Sequence, residues 1–166
     1  MGQIAILEPS TEIIPLDKDG NPKYNSLSEF KKILNTNPRK EWIAINKFSD
    51  NAKYLPIRIV EELLSEMFPF WQVEQIGEPK ILGNSVVISV QLRVFNPLIN
   101  QWLSYAGVGA VPIELEKGAE PTDFTKLKPK ALHKNVPAAL SFAVNNAAKK
   151  IGRLFGSHLN SKESMY

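Results

Sequence analysis

The chain has 166 residues, of which 43% are apolar, and it contains no cysteine. This length predicts one domain with a buried core, and the lack of cysteine excludes a disulfide framework, a thiolate zinc site and a cysteine nucleophile. No run of about 18 apolar residues is present to span a bilayer, and the first residues lack the basic region of a signal peptide. We therefore expect an intracellular, cytoplasmic protein with no membrane partner.

Positive charge is concentrated in the C-terminal part of the chain. Residues 124–162, which we call the basic segment, contain eight Lys/Arg and no Asp or Glu, whereas the preceding residues contain 12 Lys/Arg and 16 carboxylates. The net charge of +3 hides this separation. A mildly acidic body with an acid-free basic segment is typical of a surface that binds a polyanion, and a solvated helix face is the alternative.

The N-terminal residues predict an arm and a short helix. Three prolines, a polar loop and little periodicity indicate an extended arm over residues 1–25. Ser26 and Glu29 form a capping box, in which each side chain binds a backbone N–H group that the helix leaves unpaired. The helix that follows is expected to end before Pro38.

A strand and a second helix are predicted next. Residues 42–46 indicate a short strand, and residues 47–53 indicate a polar connection. Pro56 suits the first turn of a helix, where its missing N–H costs nothing, and Pro69 ends that helix. Its apolar positions recur at helical spacing: Ile59, Val60, Leu63, Leu64 and Met67.

Three strands are predicted between residues 71 and 111. Residues 71–76 alternate between apolar and polar, residues 85–95 form a longer strand, and residues 101–111 return as its partner. One face of the long strand is apolar throughout: Val86, Ile88, Val90, Leu92 and Val94. Gly107 and Gly109 weaken the returning strand, which indicates a bulge or a close approach of another backbone.

The final element is predicted to be a long helix that begins near Asn135, with Pro137 in its first turn. One apolar stripe consists of Leu140, Val144, Ala147, Ile151, Leu154 and Phe155. At 100° per residue, Lys149 and Arg153 lie on the opposite side and Lys150 on the flank. The helix is therefore expected to pack by one face and to present cations by another.

Together these elements predict the α+β fold class. A curved antiparallel β-hairpin sheet, in a β-β-β-α core, is expected to pack on the long C-terminal helix. The single domain is divided into the arm over residues 1–25, a core over residues 26–160 and a tail over residues 161–166.

Several stretches carry a family resemblance. In order they are Tyr54, Glu66-Met67-Phe68, Trp71, Leu92-Arg93-Val94, the glycine-containing run 105–109, Lys-Pro-Lys-Ala-Leu at 128–132, and residues 143–156. Over residues 42–160 the chain resembles the single-strand annealing proteins of double-strand-break repair, the Rad-fifty-two superfamily and its phage-encoded relatives. It departs from their pattern where residues 48–53 replace a glycine-rich connection, and where Lys150 stands in place of an arginine.

The resemblance implies sequence-independent binding of single-stranded DNA, followed by annealing of complementary strands. Lys149, Lys150 and Arg153 would line the inner part of a groove that follows the phosphates, and Lys128 and Lys130 would form its outer rim. The resemblance also implies a homo-oligomer, either a ring or a helical filament. A phage exonuclease or a single-strand-binding protein would be a further partner.

Three more residues are candidates for the DNA-binding site. Arg93 on the hairpin faces either phosphate or solvent, and Lys47 falls at the family's upstream basic position, which Asn46 also fits. Tyr54 either stacks on a base or packs against the hairpin, and the same alternatives hold for Tyr105.

Other functions remain as alternatives. A passive single-stranded DNA-binding or replication-accessory protein would share the groove but would not promote annealing, and an assembly protein would use the basic face for a protein partner. Two groups of carboxylates would suit a metal enzyme: Glu61, Glu62 and Glu66 on one helix, and Glu114 and Glu116 at a strand end. Because no histidine accompanies them and no nucleophile or phosphate-loop motif is present, we predict no enzyme activity and no cofactor.

Overall fold

The computed structural model describes residues 13–46 and 50–161. This part of the chain confirms the predicted α+β class, with three α-helices and two antiparallel sheets. The helices are α1 (Leu27–Leu34), α2 (Ile57–Met67) and α3 (Ala131–Ala148). The strands are β1 (Ala44–Asn46), β2 (Ala52–Tyr54), β3 (Trp71–Gln75), β4 (Lys80–Leu82), β5 (Ser85–Asn96) and β6 (Gln101–Pro112).

The main sheet is built around β5. One edge of β5 pairs with β6 along its whole length, from Ser85 opposite Pro112 to Asn96 opposite Gln101. The other edge pairs first with β4 and then with β3, which run in the same direction and are separated by residues 76–79. The sequence reasoning missed β4 because it is three exposed residues long and has no alternation of apolar and polar side chains.

The core face of the main sheet confirms the predicted alternation in β5. Its five inward side chains, Val86, Ile88, Val90, Leu92 and Val94, are at most 1% exposed. Gly107 and Gly109 lie opposite Val90 and Ile88 on the same face of the sheet. The pairing of β5 with β6 has no interruption, so the glycines mark a close backbone approach rather than a bulge.

That close approach is made by α3. A Cβ atom on Gly109 would lie 2.0 Å from the carbonyl oxygen of Ala139, and one on Gly107 would lie 2.1 Å from the carbonyl oxygen of Ala143. The helix presents alanines to the glycines, and Ala139, Ala143 and Ala147 are fully buried. Small side chains on both elements therefore allow the helix to rest directly on the strand backbone.

The prediction that the last helix begins near Asn135 is wrong. The helix begins at Ala131, and Pro137 lies inside it. Asn135 is 4% exposed, and its side-chain oxygen accepts a hydrogen bond from the Glu114 N–H at 3.4 Å. Two interactions hold the first turns in place: the burial of Ala131 and the hydrogen bond between Asn135 and Glu114. They offset the loss of the backbone hydrogen bond that Pro137 cannot form.

The prediction that one continuous helix carries the apolar stripe as far as Phe155 is also wrong. The α-helix ends at Ala148, and a separate 3-10 turn covers Arg153–Phe155. Gly152 is extended between them and lies so close to α1 that a Cβ atom would be 2.6 Å from the Leu34 carbonyl oxygen. The predicted apolar stripe is partly confirmed: Val144, Ala147, Leu154 and Phe155 are buried, Ile151 is half-buried, and Leu140 is 36% exposed. Lys149 and Arg153 therefore do not share a helical face.

The remaining elements lie beside this core. The capping box of α1 is confirmed in part: the Ser26 hydroxyl accepts from the Glu29 N–H at 3.2 Å, but the Glu29 carboxylate accepts from the Asn25 N–H rather than from that of Ser26. All five predicted apolar positions of α2 are buried. The small sheet of β1 and β2 corrects the predicted connection over residues 47–53, because β2 begins at Ala52.

The described part of the arm, residues 13–25, has no α-helix and no strand beyond an isolated antiparallel bridge between Leu16 and Pro22, and it is attached to the core. Ile14 and Tyr24 are buried in the hydrophobic core, and the Tyr24 hydroxyl donates to the Met67 carbonyl oxygen at 2.8 Å. Residues 1–12 and the greater part of the tail, residues 162–166, lie outside the described residues.

Replacing Tyr24 with phenylalanine should lower the free energy of unfolding by about 1–3 kcal/mol, because the Met67 carbonyl oxygen loses its partner in a buried site. Burial raises the pKa of Tyr24 above its ordinary value of 10.0. The contribution of the neutral phenol is therefore complete below pH 10 and is lost as the pH rises further. Urea unfolding at pH 8 and above pH 10 should show the difference between the two proteins shrinking, and a constant difference would contradict this account.

Candidate nucleic-acid interface

A cleft of about 1100 Å³ opens on the described surface. Its walls come from the loop after α1, from the β1–β2 hairpin and from the residues that follow α3. The lining residues are Asn37, Pro38, Lys40, Ile43, Ile45, Lys53, Arg153, His158, Leu159 and Ser161. We call this feature the basic cleft.

The basic cleft is positively charged. Lys40, Lys53 and Arg153 contribute three cations, and no Asp or Glu is among the lining residues. All three side chains are exposed, and none of them forms a salt bridge with another described residue. Cations that are gathered in a concave surface without carboxylates produce a local positive potential that attracts a polyanion.

The walls of the basic cleft are held together by side-chain hydrogen bonds to the backbone and by close backbone packing. The Asn160 side chain accepts a hydrogen bond from the Lys53 N–H at 2.8 Å and donates one to the Lys53 carbonyl oxygen at 2.7 Å. This pair of bonds attaches the C-terminal residues to β2. Gly152, which lies against the Leu34 carbonyl, places the adjacent Arg153 beside the loop that follows α1. Lys53 and Arg153 are therefore positioned by ordered backbone, although they are far apart in sequence.

The predicted triad of cations is divided in the structure. Arg153 lines the basic cleft, whereas Lys150 donates to the Ala106 carbonyl oxygen at 2.6 Å. Asn146, one turn before Lys150, donates to the Val108 carbonyl oxygen at 2.8 Å. These two side chains cover part of the outer edge of β6, where carbonyl groups have no neighbouring strand. Lys149 is half-buried and donates to the Asn146 side-chain oxygen at 3.4 Å.

The first half of the basic segment is close to carboxylates in space. An isolated bridge between Leu115 and Leu127 brings Glu114 near the segment. The Glu114 carboxylate lies 3.4 Å from the Lys128 ammonium and 3.7 Å from the Lys134 ammonium. The charge of Lys128 is therefore partly offset, even though the sequence around it contains no acid.

Lys130 differs from Lys128. It is exposed and stands at the N-cap of α3, with a positive φ of 60°. No salt bridge joins it to another described residue. Its assignment to an outer rim stays a prediction.

The other three candidates lie apart from these groups. Arg93 lies on the face of the main sheet opposite α3, with its guanidinium carbon 5.4 Å from the centroid of the Trp102 ring. Tyr54 is half-buried in β2, opposite Ala44. Lys47 lies outside the described residues.

Sequence reasoning missed Lys40, Lys53 and His158 as neighbours of Arg153. Lys40 and Lys53 lie in the part of the chain where carboxylates outnumber Lys and Arg, so the charge distribution along the sequence did not indicate them as binding residues. One feature of the sequence could have indicated Lys53: it directly precedes Tyr54, which is part of the family resemblance. Lys40 has no comparable signal, because only packing brings the 3-10 turn Lys40–Trp42 to the cleft.

The carboxylates of the enzyme alternative are mostly ion-paired. Glu62 pairs with Arg58, Glu66 with Lys23, and Glu114 with the lysines already described. Within residues 13–46 and 50–161, no three His, Cys, Asp or Glu side chains are grouped so that they could hold a metal ion. The same residues contain no helix that is both long and apolar enough to cross a membrane.

The fold and the cleft define an α+β protein in which an alanine-rich helix rests on an antiparallel sheet, and in which a basic cleft opens beside the end of that helix. Neither the models of known protein families nor the curated proteins give a match to the chain.

Proposed function

We propose that this protein binds single-stranded DNA and promotes the annealing of complementary strands in homologous recombination and DNA repair. The observation that supports this best is the basic cleft, where Lys40, Lys53 and Arg153 meet without a carboxylate. The family resemblance of residues 42–160 supports the same function. Under this proposal the protein acts in the cytoplasm and needs neither a cofactor nor a bond-breaking step.

The physical basis is the release of counterions from the DNA backbone. Each phosphate that a lysine or arginine neutralises frees condensed counterions, so binding is strong at low salt and does not depend on sequence. No carboxylate among the described residues forms a salt bridge with the cations of the basic cleft, so these cations retain their attraction for phosphate. A protein that holds the backbone leaves the base edges free to pair.

Annealing of long strands requires more than one cleft. A homo-oligomer, a ring or a filament as the resemblance implies, would align the clefts of successive subunits into a continuous path for the backbone. The path between subunits would then be extended by the predicted cations outside the cleft, which include Lys128, Lys130, Lys149 and Lys150. A phage exonuclease that generates single strands, or a single-strand-binding protein that coats them, would be a suitable partner.

An annealing assay tests the proposal. The rate at which two complementary oligonucleotides form duplex is measured with and without protein, in the absence of nucleotide triphosphate. An annealing protein should increase this rate, whereas a passive single-stranded DNA-binding protein should bind both strands and slow their pairing. Failure to bind single strands even at low salt would contradict the proposal and would favour an assembly role.

A further inference from the structure

The face of the main sheet opposite α3 carries a row of aromatic rings. Phe95 and Trp102 lie opposite each other in the β5–β6 register, and their ring centroids are 5.6 Å apart in an edge-to-face arrangement. Phe70 continues the row, with its centroid 6.0 Å from that of Phe95. Phe70 is 54% exposed and Trp102 is 43% exposed, so the described chain leaves much of the row uncovered. We call these three rings, together with Arg93, the aromatic row.

Arg93 adds a cation with unused hydrogen-bonding capacity. Its guanidinium lies over the Trp102 ring, and its Nε atom is buried without a hydrogen-bond partner. Arg93 forms no salt bridge with another described residue. Glu74, which is also on this face, lies opposite Gln91 rather than opposite Arg93. The guanidinium is therefore held against a ring while part of its donor capacity is unused.

The surface beside the aromatic row is made of short side chains. Ser104, Ala106 and Ala110 follow Trp102 on the same face of β6, and they are small, uncharged and exposed. Val108 is the largest side chain between them and is also exposed. Short side chains next to exposed rings leave room for a planar ligand on this face of the sheet.

We propose that the aromatic row is a stacking platform for the bases of single-stranded DNA. This inference rests on the proposed function, and it adds base contacts to the phosphate contacts of the basic cleft, since no residue of the row lines that cleft. Every base has a π-face, so stacking on aromatic rings is independent of sequence. Stacking uses the face of a base and leaves its pairing edge free, which annealing requires.

The unused donors of Arg93 favour nucleic acid over a second copy of the chain as the occupant. An apolar protein surface packed on the row would bury a charged guanidinium without an acceptor, which is costly. Single-stranded DNA supplies both parts of the contact, because its bases cover the rings and its phosphates accept hydrogen bonds from the guanidinium. The combination of exposed rings and an unpaired arginine therefore matches a nucleotide chain.

The test compares two oligonucleotides of equal length, oligo-dT and its abasic counterpart, which carry the same phosphates. The wild-type protein should bind oligo-dT more tightly than the abasic strand. Trp102→Leu should weaken oligo-dT binding about tenfold, in keeping with the loss of one stacked base. It should leave abasic binding and the salt dependence unchanged. Trp102→Phe keeps a ring and should retain most of the affinity.

Phe124→Leu is the matched control, because Phe124 is 42% exposed on a 3-10 turn (Phe124–Lys126) outside the aromatic row and should not affect either oligonucleotide. Equal wild-type affinities for the two strands would overturn the platform and leave the cleft proposal intact. Absence of binding to both strands would instead remove the proposed function itself. If Trp102→Leu lowers the mass of an oligomer in solution and weakens both strands equally, the row is a protein interface and the inference is wrong.

Discussion

Replacing Lys53 and Arg153 together with alanine should reduce the affinity for single-stranded DNA and its dependence on salt. Each phosphate contact contributes about −0.7 to the slope of log affinity against log salt for single strands, so the loss of two contacts should make the slope shallower by about 1.4 and weaken binding about 25-fold at about 0.1 M salt. Fluorescence anisotropy of a labelled oligonucleotide between low and high salt measures both quantities. The annealing rate should fall in parallel.

A matched control separates this effect from a change in net charge. Lys23 and Arg58 are also one lysine and one arginine, but they pair with Glu66 and Glu62 on α2 and lie outside the basic cleft. Their double replacement with alanine removes the same two charges. We expect it to leave the slope nearly unchanged, because cations paired with carboxylates gain little from phosphate. Equal losses in the two double variants would mean that only the overall charge attracts DNA, and the cleft assignment would be wrong.

Gly109→Ala should destabilise the protein by at least about 3 kcal/mol, at the upper end of what an extra methyl group costs in a packed core. The added Cβ would lie 2.0 Å from the Ala139 carbonyl oxygen and 2.5 Å from the Ala143 N–H nitrogen. Both contacts are with backbone, so no side-chain rotation relieves them and the whole helix must move away from β6. Thermal unfolding followed by circular dichroism should show a clear decrease in Tm.

Ala110→Val is the control for that variant. It adds carbons to the neighbouring residue of β6, whose side chain is exposed on the opposite face of the sheet. We expect its Tm to stay within a few degrees of the wild-type value, because a β-branched residue suits an exposed strand position. A wild-type Tm for Gly109→Ala would contradict the direct packing of α3 on the strand backbone.

The predictions from sequence that are confirmed depend on residues close together in the chain. The inward face of β5 follows from an alternation over ten residues, and the N-cap bond of α1 joins Ser26 and Glu29, which are three residues apart. The buried stripe of α2 follows from helical periodicity. Gly107 and Gly109 indicated either a bulge or a close backbone approach, and the packing of α3 on β6 decides for the second.

Local sequence patterns did not predict where α3 begins and ends. Pro137 indicates the first turn of a helix by local rules, but contact of Asn135 with Glu114 holds four further residues in the helix before Asn135. Alanine and lysine at 147–150 favour continuation of the helix, yet the approach of Gly152 to the Leu34 carbonyl ends it. The predicted triad was separated for this reason, and Lys150 took a position at the edge of β6.

The sequence by itself determined the α+β class, the faces of the main strands and the presence of a basic C-terminal segment. Only the tertiary structure decided which cations act together. It offset part of that segment by bringing Glu114 to Lys128, and it joined Arg153 to Lys40 and Lys53 in one cleft. Periodicity and charge counts report on neighbours along the chain, whereas the electrostatic potential of a cleft depends on distances in space between residues that are far apart in sequence.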